Sequence, residues 1–261
     1  MPENIFVTLI VCLFAGLGAG FGTGFAGMSA AAVIAPMLIA FLEFDPYLAV
    51  GVALASDVLA SAVSAYTYKK NGNLDVKNGL IMMACVLAFT VVGSFAASLM
   101  PGTVMGGFST VMTFFLGIKF IVKPIVTTKE AMEKTSAKKR IIGSVICGSL
   151  VGFICGFVGA GGGMMMLLLL TSVLGYELKT AVGTSVFIMT FTALTGAASH
   201  FVLGGMPNIL VLVLCVAFTL IFALIAAKIA NKAKPTTLNR IVGIVLAVLG
   251  AAILITEYIV K

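Results

Sequence analysis

Gly16-Leu17-Gly18-Ala19-Gly20-Phe21-Gly22-Thr23-Gly24-Phe25-Ala26-Gly27 returns 132 positions later as Gly148-Ser149-Leu150-Val151-Gly152-Phe153-Ile154-Cys155-Gly156-Phe157-Val158-Gly159. Glycines 16, 20, 24 and 27 fall on glycines 148, 152, 156 and 159, and Phe21 and Phe25 fall on Phe153 and Phe157. The same gapless register carries residues 16–72 onto 148–204, setting Ala49-Val50-Gly51 on Ala181-Val182-Gly183 and Gly72 on Gly204. Six paired glycines in one register mark an internal repeat, so the chain is read as two related halves.

The surroundings of each copy name the solvent. Residues 5–42 contain no Asp, Glu, Lys or Arg, and neither do residues 141–176. Across the whole chain 61% of residues are hydrophobic and only 10% are charged, which excludes an ordinary soluble domain. Backbone groups in lipid must be satisfied internally, and no ten-residue alternating pattern appears, so helices are predicted rather than a barrel. Apolar segments fall at 5–42, 48–68, 79–100, 104–122, 141–175, 180–203, 209–230 and 241–259. The first and fifth are too long for one crossing. As a straight helix, 38 residues would run about 57 Å against a core of about 30 Å. Glycines at 22–27 and 159–163 are predicted to supply the bends.

Loop charge orients the halves. In the first, the loop after the 48–68 segment is basic (Lys69, Lys70, Lys77), and the next turn, 100–103, is uncharged. In the second the order reverses, with an uncharged 204–208 followed by Lys228, Lys232, Lys234 and Arg240. If basic loops face the cytoplasm, the repeat is inverted in topology. The segment 123–140, with six Lys or Arg against two Glu, then joins the cytoplasmic side. The predicted fold is an all-α polytopic membrane protein of two inverted-topology repeats. Each is a glycine-broken helical hairpin followed by three membrane-spanning helices. Residues 1–122 form the first repeat, 123–140 a basic cytoplasmic linker and 141–261 the second repeat. Two parallel four-span halves are the rival arrangement.

A helix that restarts inside the membrane presents unsatisfied N–H groups and a positive dipole end, which together attract anions. Two such breaks facing each other form an anion site that needs no Lys or Arg. The candidate substrate-binding residues are therefore Gly24, Gly27, Met28 and Ser29 from the first break, and Gly159, Gly161, Gly162 and Gly163 from the second. Ser56, Thr184 and Ser185 add hydroxyls from the helices that follow, although a lone helical hydroxyl also bonds its own backbone. Asp57 is a carboxylate midway along an apolar helix, costly there and so either functional or satisfied structurally. Its repeat counterpart is Met189. As a functional group it is a proton carrier. His200, the only histidine, aligns with Tyr68 and reads as an interfacial anchor, with gating or pH sensing as the sharper alternative.

Other chemistries find no footing. The net charge of +7 is concentrated in the loops, as a positive-inside bias requires, and does not call for nucleic acid. The five cysteines lie inside apolar segments without a Cys-x-x-Cys pair, as small packing residues do. Gly22 to Gly27 spells G-x-G-x-x-G but follows no strand, so it is not a dinucleotide loop. Met164-Met165-Met166 reads as packing rather than copper binding. No metal cluster, cofactor loop or nucleophile–base pair is evident, and no enzyme is predicted.

The glycine ladders, Gly159-Ala160-Gly161-Gly162-Gly163, Ala181-Val182-Gly183-Thr184-Ser185 with its echo Ala49-Val50-Gly51, and Pro36-Met37-Leu38 resemble the TauE/SafE family of sulfite exporter permeases. The resemblance covers essentially the whole chain. Ala26-Gly27-Met28-Ser29-Ala30 stands where that family tends to have a glycine run, and Leu168 where a proline often stands. The resemblance implies secondary transport, by alternating access, of small sulfur-containing anions such as sulfite or organosulfonates. An anion channel, a carrier of another small anion, and a non-transporting membrane assembly factor are the alternatives. The expected partners are a small anionic substrate and the lipid bilayer of the cell membrane, with a homodimer open as an assembly.

Overall fold

The computed structural model describes residues 5–98, 127–133, 136–158 and 162–259, together with five single positions between 115 and 122. All regular elements among the described residues are helices. In chain order they are α1 (Ile5–Ala26), α2 (Ala31–Leu42), α3 (Pro46–Lys70), α4 (Val76–Ser98) and α5 (Lys129–Glu133). Then come α6 (Ala137–Val158), α7 (Gly162–Ser172), α8 (Leu178–Gly204), α9 (Ile209–Lys232) and α10 (Pro235–Ile259). Six of these are long and apolar enough to cross a bilayer. The segment predicted at 104–122 lies almost wholly outside the described residues. Capping explains several starts. Asp45 Oδ1 accepts the N–H groups of Tyr47 and Leu48 with Pro46 at the first helical position, and Asn208 Oδ1 does the same for Leu210 and Val211.

The two glycine ladders of the repeat lie in α1 and in α6. Each meets a neighbouring helix. A Cβ placed on Gly16, Gly20 or Gly24 would fall 2.5–2.7 Å from Phe218, Phe222 or Ala226 of α9. Placed on Gly148 or Gly152, it would collide with the backbone carbonyls of Met82 and Val86 in α4. Thus α1 packs on α9 and α6 on α4, so the two ladders each lean on a helix of the other half. With lipid as solvent, backbone approach of this kind supplies helix affinity that the hydrophobic effect does not.

α3 and α8 form the centre and run antiparallel. Gly51 at the start of α3 abuts His200 and Phe201 near the end of α8, while Gly183 near the start of α8 abuts Tyr68 and Asn73 at the end of α3. The repeat shift exchanges these two contacts. Both ends of the α6–α7 hairpin meet at one residue, because Arg140 and Tyr176 each reach Asp75. The α1–α2 hairpin instead leads into Tyr47, whose ring lies 4.2 Å from that of His200 at the opposite end of α8.

The first bend differs from expectation. α1 runs unbroken through Gly22, Thr23 and Gly24 to Ala26, and only Gly27–Ala30 leave the helix. Close packing on α9 keeps the glycines helical. Gly27, at φ +62°, makes the turn instead, a conformation that favours glycine. In the second half Gly162 and Gly163 already belong to α7, and 159–161 lie outside the described residues.

Candidate solute site

The two half-helices start side by side. A Cβ on Gly163 would lie 2.5 Å from the Gly27 carbonyl oxygen and 3.0 Å from the Ser29 nitrogen. Ser185 of α8 spans the joint, its hydroxyl 3.2 Å from Gly27 O and 3.3 Å from Gly163 O. Four further carbonyls around the first break have partners. Gly22 O and Thr23 O accept from Met28 and Gly27 N–H groups, Gly24 O accepts from the Tyr68 hydroxyl at 2.9 Å, and Met28 O from Thr23. A break inside the membrane needs such partners.

Beside the joint is a cavity of about 320 Å³ whose wall includes Ser29, Asp57, Gly162, Gly163, Met189 and His200. Among the described residues, Asp57 is the only acid on this wall, and no Lys or Arg contributes to it. The Asp57 side chain is fully covered. Ser29 donates to its Oδ2 at 2.8 Å and Ser61 to its Oδ1 at 2.8 Å, with the Ala30 amide beside it. Ser29, half-buried, therefore stands between the cavity and the carboxylate. In the second half the equivalent position is Met189, so the resident anion serves only the α2 start.

The other polar groups of the wall are oriented by their own helices. Thr90, Thr192 and Ser199 donate to Val86 O, Met189 O and Thr195 O, which leaves oxygen lone pairs toward the cavity. His200 Nδ1 lies 3.0 Å from Tyr47 O. A carbonyl can only accept, so Nδ1 carries the hydrogen and Nε2 is the free position.

Of the predicted residues, Ser29, Asp57, Gly162 and Gly163 are brought to this cavity. Gly27 and Ser185 form the joint behind it. Gly24 is not at the cavity, because its Cα faces Ala226 of α9. Met28 is fully buried against Gly22. Ser56 turns away and donates to Val52 O at 2.8 Å. Thr184 accepts the Asp75 N–H at 3.2 Å, at the far end of the bundle. Gly159 and Gly161 lie outside the described residues. His200, read as an anchor, reaches the cavity, as do Thr192 and Gly196. Their spacing from Ser185 (Met189, Thr192, Gly196, His200) is one helical face and was the available signal.

A polar cluster ties the helices together where the basic loops gather. Asp75 accepts from Tyr176 Oη at 2.8 Å and from Asn78 at 2.7 Å and 3.1 Å, with Arg140 Nη1 at 3.7 Å. Asn73 donates to Asn231 of α9, whose carbonyl accepts from Lys179 of α8. Burial and the adjacent Asp75 carboxylate push the Tyr176 phenol above its ordinary value, so it stays a donor.

Residues 12–253 match the family described as sulfite exporter TauE/SafE. Probable membrane transporter protein YdhB of Bacillus subtilis is 24% identical over 87% of this chain and 93% of its own length. Probable membrane transporter protein YunE of the same organism is 24% identical over 95% and 98%. A probable membrane transporter protein of Methanocaldococcus jannaschii is 25% identical over 88% and 89%. Near-complete coverage of chain and relatives, on an all-helical bundle with six membrane-length helices, leads to one assignment: the chain belongs to the TauE/SafE sulfite exporter family and is a multi-pass membrane transporter.

Proposed function

We propose that the protein is an alternating-access secondary transporter of small sulfur-containing anions, such as sulfite or organosulfonates, coupled to protons through Asp57. The observation that carries this is the cavity where the starts of α2 and α7 meet, with a buried carboxylate at its wall and, among the described residues, no basic side chain on it. The anion sits at the start of α7, where N–H groups and the helix dipole take the place of a cation. Asp57 with its Ser29 partner already fills that role for α2. Protonation of Asp57 removes a like charge from beside the bound anion, which links the two loads thermodynamically.

Inverted repeats are part of this reading, and what supports them is that α3 and α8, which correspond in the 132-residue register, lie antiparallel. Lys69, Lys70, Lys77, Lys228, Lys232 and the 123–140 segment share the cytoplasmic face of the cell membrane. The Asp75 cluster closes that face while the cavity leads toward Ser199 and His200 on the other.

The test is labelled sulfite and ethanesulfonate flux in proteoliposomes, with and without a pH gradient. Gly162→Leu is expected to abolish uptake and Asp57→Asn to remove its pH dependence. Normal proton-driven flux in both variants would falsify the site, and non-saturable flux without counter-exchange would make the protein a channel.

A further inference from the structure

Asp57 is held by two hydroxyls that approach from different directions. Ser29 bonds Oδ2 and lies on the cavity wall. Ser61 bonds Oδ1 and lies one turn further along α3, away from the α2 start. One further turn on is Ser64, fully buried, whose Oγ has no hydrogen-bond partner among the described residues. Asp57, Ser61, Ser64 and Tyr68 are spaced by four, three and four residues, so they form one stripe on α3. All four are fully buried, and the stripe runs toward Lys69 and Lys70 at the basic end.

A buried hydroxyl without a partner is costly, and a water is the usual remedy in a polar interior. We infer that Ser64 holds an internal water that extends the Asp57–Ser61 chain into a second proton route, leading to the basic face and separate from the solute cavity. This rests on Asp57 being the coupling group.

The existing bonds have the right polarity. A proton delivered to Ser64's water passes to Ser61 Oγ, while the hydrogen already on Ser61 moves to Asp57 Oδ1. The carboxylate becomes a carboxylic acid, and no charge is left on the serine. A proton from the cavity does the same through Ser29 and Oδ2. Along the helix axis the distance from Asp57 to Ser64 is about 10 Å, which one or two waters bridge. Titratable side chains on the helices packed against α3 are Cys12 of α1, Lys179 and His200 of α8, and Cys215, Lys228 and Lys232 of α9; α2 has none. Of these His200 shares the Asp57 cavity, together with Cys155 of α6. Neither belongs to the Ser61–Ser64 stripe.

Two measurements on the full-length protein test this. In proteoliposomes, Ser64→Val is expected to slow pH-driven uptake of labelled ethanesulfonate by about tenfold, with exchange of labelled for unlabelled anion at equal pH unchanged within about twofold. Ser64→Thr, which keeps the hydroxyl, is expected to retain both. Equal loss of both activities, or loss of neither, overturns the second route. The other measurement needs no solute. In detergent, the infrared carboxyl band that Asp57→Asn removes is followed after a pH step. Either Ser29→Ala or Ser64→Val alone leaves one route open, and the double variant is expected to slow the band at least about tenfold. No such band, or a double variant as fast as wild type, overturns the inference even if ethanesulfonate is not a substrate. A wild type that moves neither sulfite nor ethanesulfonate while the band behaves as expected would fault the substrate assignment alone.

Discussion

Gly163→Ala adds one carbon where the two helix breaks meet. That carbon would lie 2.5 Å from Gly27 O, 2.6 Å from Met189 Sδ and 3.0 Å from Ser29 N. Relaxed carbon–oxygen contacts are roughly 3.3–3.6 Å, so the start of α7 and the first break must part by about 1 Å. Met189 can swing away, but Gly27 O is backbone, set by a turn at φ +62°. Ser185 already reaches Gly27 O at 3.2 Å and Gly163 O at 3.3 Å, so the same parting breaks its bridge. Overpacking costs about 1–3 kcal/mol and the lost hydrogen bond about 1 kcal/mol, so a destabilisation of roughly 2–4 kcal/mol is expected. Gly162→Ala is the control, because its added carbon meets only the Cys155 side chain, which can rotate. Reversible unfolding in mixed micelles measures both variants, and anion flux follows in parallel. Gly163→Ala as stable and active as Gly162→Ala, within about 0.5 kcal/mol, would refute a packed joint between the breaks.

Tyr176→Phe removes a 2.8 Å hydrogen bond to the Asp75 carboxylate, worth about 1.5–3 kcal/mol for a charged acceptor. Hydrogen exchange at the Asp75 and Asn78 amides, which are bonded to Thr184 and Asp75, is expected to speed up as the basic face loosens. Unchanged exchange would remove Tyr176 from the closure. Gly152→Ala drives a carbon into the Val86 backbone carbonyl, whereas Gly18→Ala meets only the side-chain tips of Val33 and Leu249 at 3.1–3.2 Å. The first is expected to lower folded yield and thermal stability markedly and the second to do so little; equal effects would argue against close approach of α4 and α6.

Much of the architecture is a local property and could be read from the chain. Charge-free stretches the length of a bilayer mark helices because lipid leaves the backbone no other option. The glycine ladders read from the chain lie in α1 and α6 and face neighbouring helices, because glycines four apart line one face wherever a helix forms. That residues 5–42 and 141–175 must bend followed from length alone, and α1–α2 and α6–α7 are those bent pairs.

Where the first bend falls was a different matter. Gly22 and Gly24 weaken a helix by propensity, yet α9 packs against them and they stay helical, so the turn passes to Gly27. The same contest settles each hydroxyl. Ser56 and Thr190 bond the carbonyl one turn back, Ser29 and Ser61 turn to Asp57, and Ser185 bridges two breaks. Sequence spacing tells which face a serine occupies. What stands opposite that face, carbonyl or carboxylate or cavity, is decided only when distant helices pack, because the competing hydrogen bonds differ by about 1 kcal/mol and the neighbour tips the choice.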